Sequence, residues 1–186
     1  MSLPDKLLAV HESFARAGIA HAFGGAVALA YCTEDPRGTR DIDVNAFVPA
    51  IAPQPVLDAL PPQVAVPDGT TEALIEDGQV RLWWDDTPVD LFLDYAPLHE
   101  QAAAHRRDVP FAGSTIPVLG ALELVLFKAL FDRPKDWVDI EAVLRTGAAN
   151  IADVRARLLD LLGDDDHRLR RLDQLSNDLP RPRPRR

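Results

Sequence analysis

A single cysteine, Cys32, leaves this 186-residue chain without the means to build an intrachain disulfide framework, and that usage fits a reducing cytoplasm. No apolar run approaches the ~20 residues that cross a bilayer, and the N-terminus, MSLPDKLLAVHESF, carries an acid early and no cleavable apolar core. Neither a membrane span nor a signal peptide is therefore expected. Basic residues are in deficit: 20 Lys and Arg against 29 Asp and Glu give a net charge of −9, which argues against general, charge-driven binding to nucleic acid. A local basic path to one acidic substrate remains compatible with that balance. Internal repeats are missing, as is any G-x-G-x-x-G dinucleotide fingerprint. The five histidines have no metal-ligand spacing, and the acidic run at 164–166 lacks the glycine and spacing of a calcium loop. What is present is ordinary for a globular protein, 47% hydrophobic and 26% charged, and sufficient for one well-buried core with a smaller helical appendage.

Apolar residues recur at helical spacing over 3–17 (Leu3, Leu7, Leu8, Val10, Phe14), with Gly18 where that helix would end. IAHAF (19–23) reads as a short strand entering the pair Gly24-Gly25, and GAVALAYC as a buried helix starting near Gly25. TEDPRG is a turn, DIDVNAFV a strand with alternating faces, and PAIAPQPVLDALPPQ a proline-punctuated stretch around a short helical piece. From VAVPDG through ALIEDGQVRLWW the pattern suggests short strands joined by turns. DDTP then makes a turn, and VDLFLDY is a strand with Asp90, Phe92 and Asp94 on one face. Trp83 and Trp84, being adjacent in a strand, take opposite faces. Beyond Val118 the periodicity is helical, interrupted at Arg133-Pro134, with one or two further helices from Ile151. The fold class expected is α+β: a mixed-sheet αβ core over 1–116 and a helical subdomain over 117–177 packed on it. A basic, proline-alternated tail over 178–186 (Arg181, Arg183, Arg185, Arg186) would be disordered or extended, and solvated or in contact with an acidic partner.

Chemistry concentrates in FGGAVALAYCTEDPRGTRDIDV, residues 23–44. Asp41 and Asp43 lie two apart in a strand, so their side chains leave one face about 7 Å apart along the backbone. Two such carboxylates repel unless a cation joins them, and hard oxygen ligands at this spacing suit Mg²⁺ or Mn²⁺. Asp90, set among apolar residues in a second strand, is the third carboxylate that would complete a two-metal clamp, though Asp85, Asp86 and Asp94 are neighbours that compete for the part. Gly24 and Gly25 stand at a strand-to-helix junction, where backbone without side chains and the N–H groups of a helix start favour an anion such as phosphate. Phosphate at the helix start and metal at the carboxylates together imply phosphoryl or nucleotidyl transfer.

The order F-G-G, D-I-D-V, V-D-L resembles the nucleotidyltransferase-fold superfamily. More narrowly, R-G-T-R-D-I-D-V, L-V-L-F-K-A-L and D-R-P-K-D-W-V-D-I are similar to the nucleotidyltransferase toxins of toxin–antitoxin and abortive-infection systems, the AbiEii-like group, over residues ~20 to ~145. The resemblance implies a Mg²⁺-dependent enzyme with a nucleoside triphosphate as donor. Gly24 and Gly25 would hold the triphosphate, and Asp41, Asp43 and Asp90 the metals, with Asp90 placed to take the acceptor's proton. Lys128 would contact the triphosphate. Lys135 and Asp136 match a K-D block suited to phosphate contact or to organising a helix start, and Arg37 and Thr39 match the approach to the Asp pair. The implied acceptor is an RNA end or a protein hydroxyl, with a cognate antitoxin as possible partner. Two alternatives stay open: a small-molecule acceptor, as in antibiotic nucleotidyltransferases of the same fold, and a nucleotide-binding module that works through a partner.

Overall fold

The computed structural model describes residues 1–95 and 97–178. The expected basic tail at 178–186 thus falls, apart from the backbone of its first residue, outside the described residues. The chain forms two compact units, Met1–Ala28 with Arg37–Gly120, and Leu29–Pro36 with the chain from Ala121 onward.

The first unit is built on a mixed sheet in the order β3-β4-β5-β2-β1-β7-β6. Its strands are β1 (His21–Phe23), β2 (Ile42–Pro49), β3 (Val64–Ala65), β4 (Gln79–Trp84), β5 (Thr87–Asp94), β6 (Arg107–Phe111) and β7 (Ser114–Val118). At the centre β2 runs parallel to β5 and antiparallel to β1. Alternation explains the packing: Ile42, Val44 and Ala46 of β2 and Val89, Leu91 and Leu93 of β5 are completely buried on one face. The intervening positions, which include Asp43 and Asp90, stay part-exposed or carry polar groups. Helix α1 (Leu3–Arg16) begins with a capping box in which Ser2 and Asp5 bond reciprocally, and it buries Leu7, Val10 and Phe14. It also buries Lys6, which the apolar pattern does not anticipate. The Lys6 ammonium donates to the Trp84 carbonyl and to Thr87 Oγ1, each at 2.9 Å, and lies 3.3 Å from Asp85. This fastens the two-residue turn between β4 and β5, where Asp85 has the positive φ that tight hairpin turns favour.

The expected short strands over ALIEDG are a correction: Thr70–Asp77 is a helix, α4, after α3 (Gln54–Asp58). Gly69 and Gly78 bracket it in left-handed conformations, and Thr70 and Leu74, one turn apart, are its buried residues. Eight residues with two buried positions present too short a helical period to stand out in the sequence. Nor does periodicity assign any element to 97–117, where the structure has α5 (Pro97–His105) and the β6–β7 hairpin, turning at Ala112-Gly113 with both φ positive.

The second unit is helical: α6 (Ala121–Phe131), α7 (Pro134–Thr146), α8 (Ile151–Leu162) and α9 (His167–Asp178), with α6 packing on α7 and α8. The break between α6 and α7 comes at Asp132-Arg133, as the Arg-Pro interruption predicts. Helix α2 (Gly25–Thr33) starts in the first unit and ends in the second. No helix among the described residues is long and apolar enough to cross a membrane.

Candidate active site

The glycine pair meets Asp43, and the reason is steric. Strand β1 delivers Gly24 beside β2, where the Gly24 N–H donates to the Asp43 carbonyl at 2.9 Å. The next residue, Gly25, turns the chain into α2 with φ +49°. A Cβ on Gly25 would lie 2.5 Å from Asp43 Cγ and 3.1 Å from Asp43 Cβ, so a side chain there and the Asp43 carboxylate would claim the same space. Gly25 therefore makes room first of all for a carboxylate of this chain, set at the start of α2, where the helix dipole and first-turn amides favour negative charge. Gly24 is also confined: its Cβ would meet Asn45 Nδ2 at 3.2 Å and Leu119 Cδ1 at 3.3 Å.

Asp43 and Asp90 are direct partners in the parallel β2–β5 register. Neighbouring strands are ~4.8 Å apart, which puts the two side chains next to each other on one face. Asp41 precedes β2 by one residue, and its carboxylate accepts a short hydrogen bond from Thr39 Oγ1. Thr39 thus holds the Asp41 carboxylate just ahead of β2. Arg37 lies exposed in the same loop.

A residue that sequence reasoning missed, Arg81 of β4, completes this face. It stands opposite Asp90 in the β4–β5 register and grips it with two hydrogen bonds, Nε to Oδ1 at 2.6 Å and Nη2 to Oδ2 at 2.7 Å. The bonds to Asp90, its charge, and the charges of Asp41 and Asp43 hold the Arg81 guanidinium well above the ordinary arginine range. A signal for Arg81 is present in the sequence: a two-residue turn at Asp85-Asp86 fixes the hairpin register, and that register pairs residue 81 with residue 90. Trp83, on the same face as Arg81, is 45% exposed, whereas Trp84 is 2% exposed, in keeping with the opposite faces expected of them.

Lys128, Lys135 and Asp136 belong to the second unit. Lys128 is buried, with its ammonium 2.7 Å from Asp139 Oδ2 and 3.5 Å from Asp136 Oδ1. Asp136, wholly buried, accepts from the Arg133 N–H and guanidinium at the start of α7. Burial pushes the Asp136 carboxyl up, but the Arg133 hydrogen bonds and the charges of Lys128 and Arg133 outweigh it and hold the group below its usual range. Lys135 is exposed in the first turn of α7.

Asp41 and Asp43 provide the hard oxygen donors that a divalent cation takes, and the hollow at Gly25 seats one of them. Asp90 is engaged by Arg81, and among the described residues no group of three or more His, Cys, Asp or Glu is arranged to hold a metal ion.

No family description and no curated protein matches the chain. Solved structures do. The chain is similar to the antibiotic-resistance factor ANT(2″)-Ia at 12% identity and TM-score 0.59, over 94% of this chain and 97% of that one. An antigenic nucleotidyltransferase-like protein from Paracoccidioides brasiliensis matches at 15% identity and TM-score 0.55, over 95% and 88%. The lincosamide antibiotic adenylyltransferase LnuA, solved with lincomycin bound, matches at 15% identity and TM-score 0.51, over 75% and 94%. At such identities the likeness is one of fold, and the fold of this chain is that of the nucleotidyltransferases.

Proposed function

We propose that the chain is a metal-dependent nucleotidyltransferase that moves a nucleotide from a nucleoside triphosphate to an acceptor hydroxyl. The observation that carries this reading is the seating of Asp43 in the space Gly25 leaves, with Asp90 beside it in register. A fold alone does not call for two carboxylates side by side on a part-exposed face, where hard oxygen donors suit a divalent cation.

Asp41 and Asp43 would hold the cation, which when bound lowers the acceptor's pKa and neutralises charge on the leaving pyrophosphate. The rest falls to the chain's own groups. The amides that open α2 at Gly25 favour the phosphates electrostatically. Thr39 fixes the Asp41 carboxylate. Asp90, once released by Arg81, would receive the proton of the attacking hydroxyl. Lys128, as the toxin resemblance implies, would contact the triphosphate in exchange for one of its two carboxylate partners, Asp136 and Asp139.

For the acceptor, the extent of the likeness to ANT(2″)-Ia and LnuA favours the hydroxyl of a small molecule. The R-G-T-R-D-I-D-V and D-R-P-K-D-W-V-D-I blocks favour the toxin-like reading, with an RNA end or a protein hydroxyl as acceptor and an antitoxin as partner. One experiment separates them. The protein is incubated with each α-labelled nucleoside triphosphate, Mg²⁺ or Mn²⁺, and total RNA, protein extract or small-molecule extract in turn. Label entering one fraction with wild type but not with Asp41→Asn identifies the acceptor class. No transfer to any fraction, combined with nucleotide binding unchanged by Asp43→Asn, would sink the catalytic reading and leave a binding module.

A further inference from the structure

Arg81, Asp90, Asp43 and Gly24 form one row across three adjacent strands and the residue that follows β1: Arg81 faces Asp90, Asp90 faces Asp43, and the Gly24 N–H bonds the Asp43 carbonyl. In that row Asp90 is held in a two-point guanidinium clamp that uses both of its oxygens. The two partners differ in freedom. The Arg81 side chain is 54% exposed and the Asp90 side chain 15%. A long side chain with water on one side can swing away, whereas a short one in a sheet cannot follow it. Carboxylate and phosphate present the same pair of oxygens to the planar guanidinium fork, so a phosphate arriving nearby is a direct competitor for Arg81.

We propose that Arg81 is the resident counter-ion of the third carboxylate and competes there with the divalent cation. Asp90 joins the metal's ligands only when Arg81 is drawn off, and the phosphate chain of the incoming nucleoside triphosphate is the anion that draws it. The proposal rests on the metal-dependent reading of the site. It adds an order of events: the third carboxylate is withheld until nucleotide is present, so metal alone does not assemble the full site. Arg81 acts here as a positioning residue for Asp90 and as a ligand of the phosphates.

The test has two binding arms, both with the full chain and neither relying on turnover. Mn²⁺ binding is titrated by electron paramagnetic resonance on wild type, Arg81→Gln, Arg81→Gln/Asp90→Asn and Asp43→Asn. Arg81→Gln should bind Mn²⁺ roughly tenfold tighter or more, the order expected for removing a unit charge near a divalent cation at a half-exposed site. Asp90→Asn in that background should erase the gain, and Asp43→Asn should lose binding. In the second arm, performed in EDTA with a non-hydrolysable nucleoside triphosphate analogue, Arg81→Gln should bind several-fold more weakly than wild type. Unchanged or weaker Mn²⁺ affinity in Arg81→Gln, with Asp43→Asn still losing the metal, overturns the proposal and leaves the metal site intact. Analogue affinity unchanged in EDTA overturns the assignment of phosphate as the displacing group. No Mn²⁺ binding by any of the four proteins removes the metal-dependent reading itself, and this proposal with it.

Discussion

Two acidic clusters, one in each unit, use the same residue types to opposite ends. In the helical unit Asp136 and Asp139 are buried with Lys128 between them, and Asp136 also holds Arg133. In the sheet unit Asp41, Asp43 and Asp90 lie at part-exposed positions, and Asp43 sits where a glycine has vacated the space. The helical cluster has its acids and its central cation, Lys128, supplied by the chain and closed off from water, as a structural network does. The sheet cluster is open, and its clamp on Asp90 comes from a side chain that solvent can reach. D-I-D and D-W-V-D look alike as strings of acids; the burial of the acids and of Lys128 between them sets the second apart.

The comparison breaks most readily at the buried pair. Lys128→Met should destabilise the protein by about 3–5 kcal/mol, because it leaves Asp139 and Asp136 short of a buried counter-charge. Urea unfolding measures this, and a separate rise in KM for nucleoside triphosphate would reveal the phosphate contact that the resemblance implies. Asp43→Asn should behave in the opposite sense, with the unfolding midpoint held or raised and nucleotidyl transfer reduced on the order of a hundred- to a thousandfold. A midpoint that falls as far as that of Lys128→Met would erase the distinction between the clusters.

Gly25→Ala sharpens the contrast within the sheet. The backbone there has φ +49° and the new Cβ would collide with Asp43, so a stability loss of about 1–3 kcal/mol should accompany a loss of transfer close to that of Asp43→Asn. Smaller still is a pH effect away from both clusters. Burial, with lesser repulsion from His11 and Arg106, holds His21 below its ordinary 6.5, although its bond to the Ile19 carbonyl opposes the shift. The unfolded chain therefore takes up the proton first. Stability should be full above pH 6.5 and decline as pH falls from there to the lower folded value, a slope that His21→Gln should flatten in pH-dependent unfolding. Arg81→Gln, at an exposed pair, should change stability by less than about 1 kcal/mol.

Much of this architecture was legible because it obeys a period. The alternation in DIDVNAFV and VDLFLDY locates the two central strands and puts Asp43 and Asp90 on part-exposed faces. Register is a different kind of information. That Asp43 faces Asp90 depends on a parallel pairing between strands well apart in the sequence, and the sequence offers Asp90 as the third carboxylate without fixing that register. Arg81 was within reach, since the turn at Asp85-Asp86 fixes its partner, but its charge has no meaning until the hairpin is drawn. Helix α4 was obscured by its shortness. Lys6 and Lys128 were obscured because a buried lysine is recognisable only from its acceptors, which lie 78 and 11 residues away. The meeting of Gly25 with Asp43 is steric, and a glycine in a sequence does not declare what occupies the room it leaves.

That vacancy acts as a length gauge. A residue at 43 is accommodated by how far its head group extends, so asparagine would fit the hollow at Gly25, while glutamate, with the same charge, would carry its carboxylate one methylene too far. The usual notion of a conservative exchange is inverted here. The neutral variant of matching reach should preserve the fold, and the charged variant of greater reach should have to displace the first turn of α2 to be housed at all.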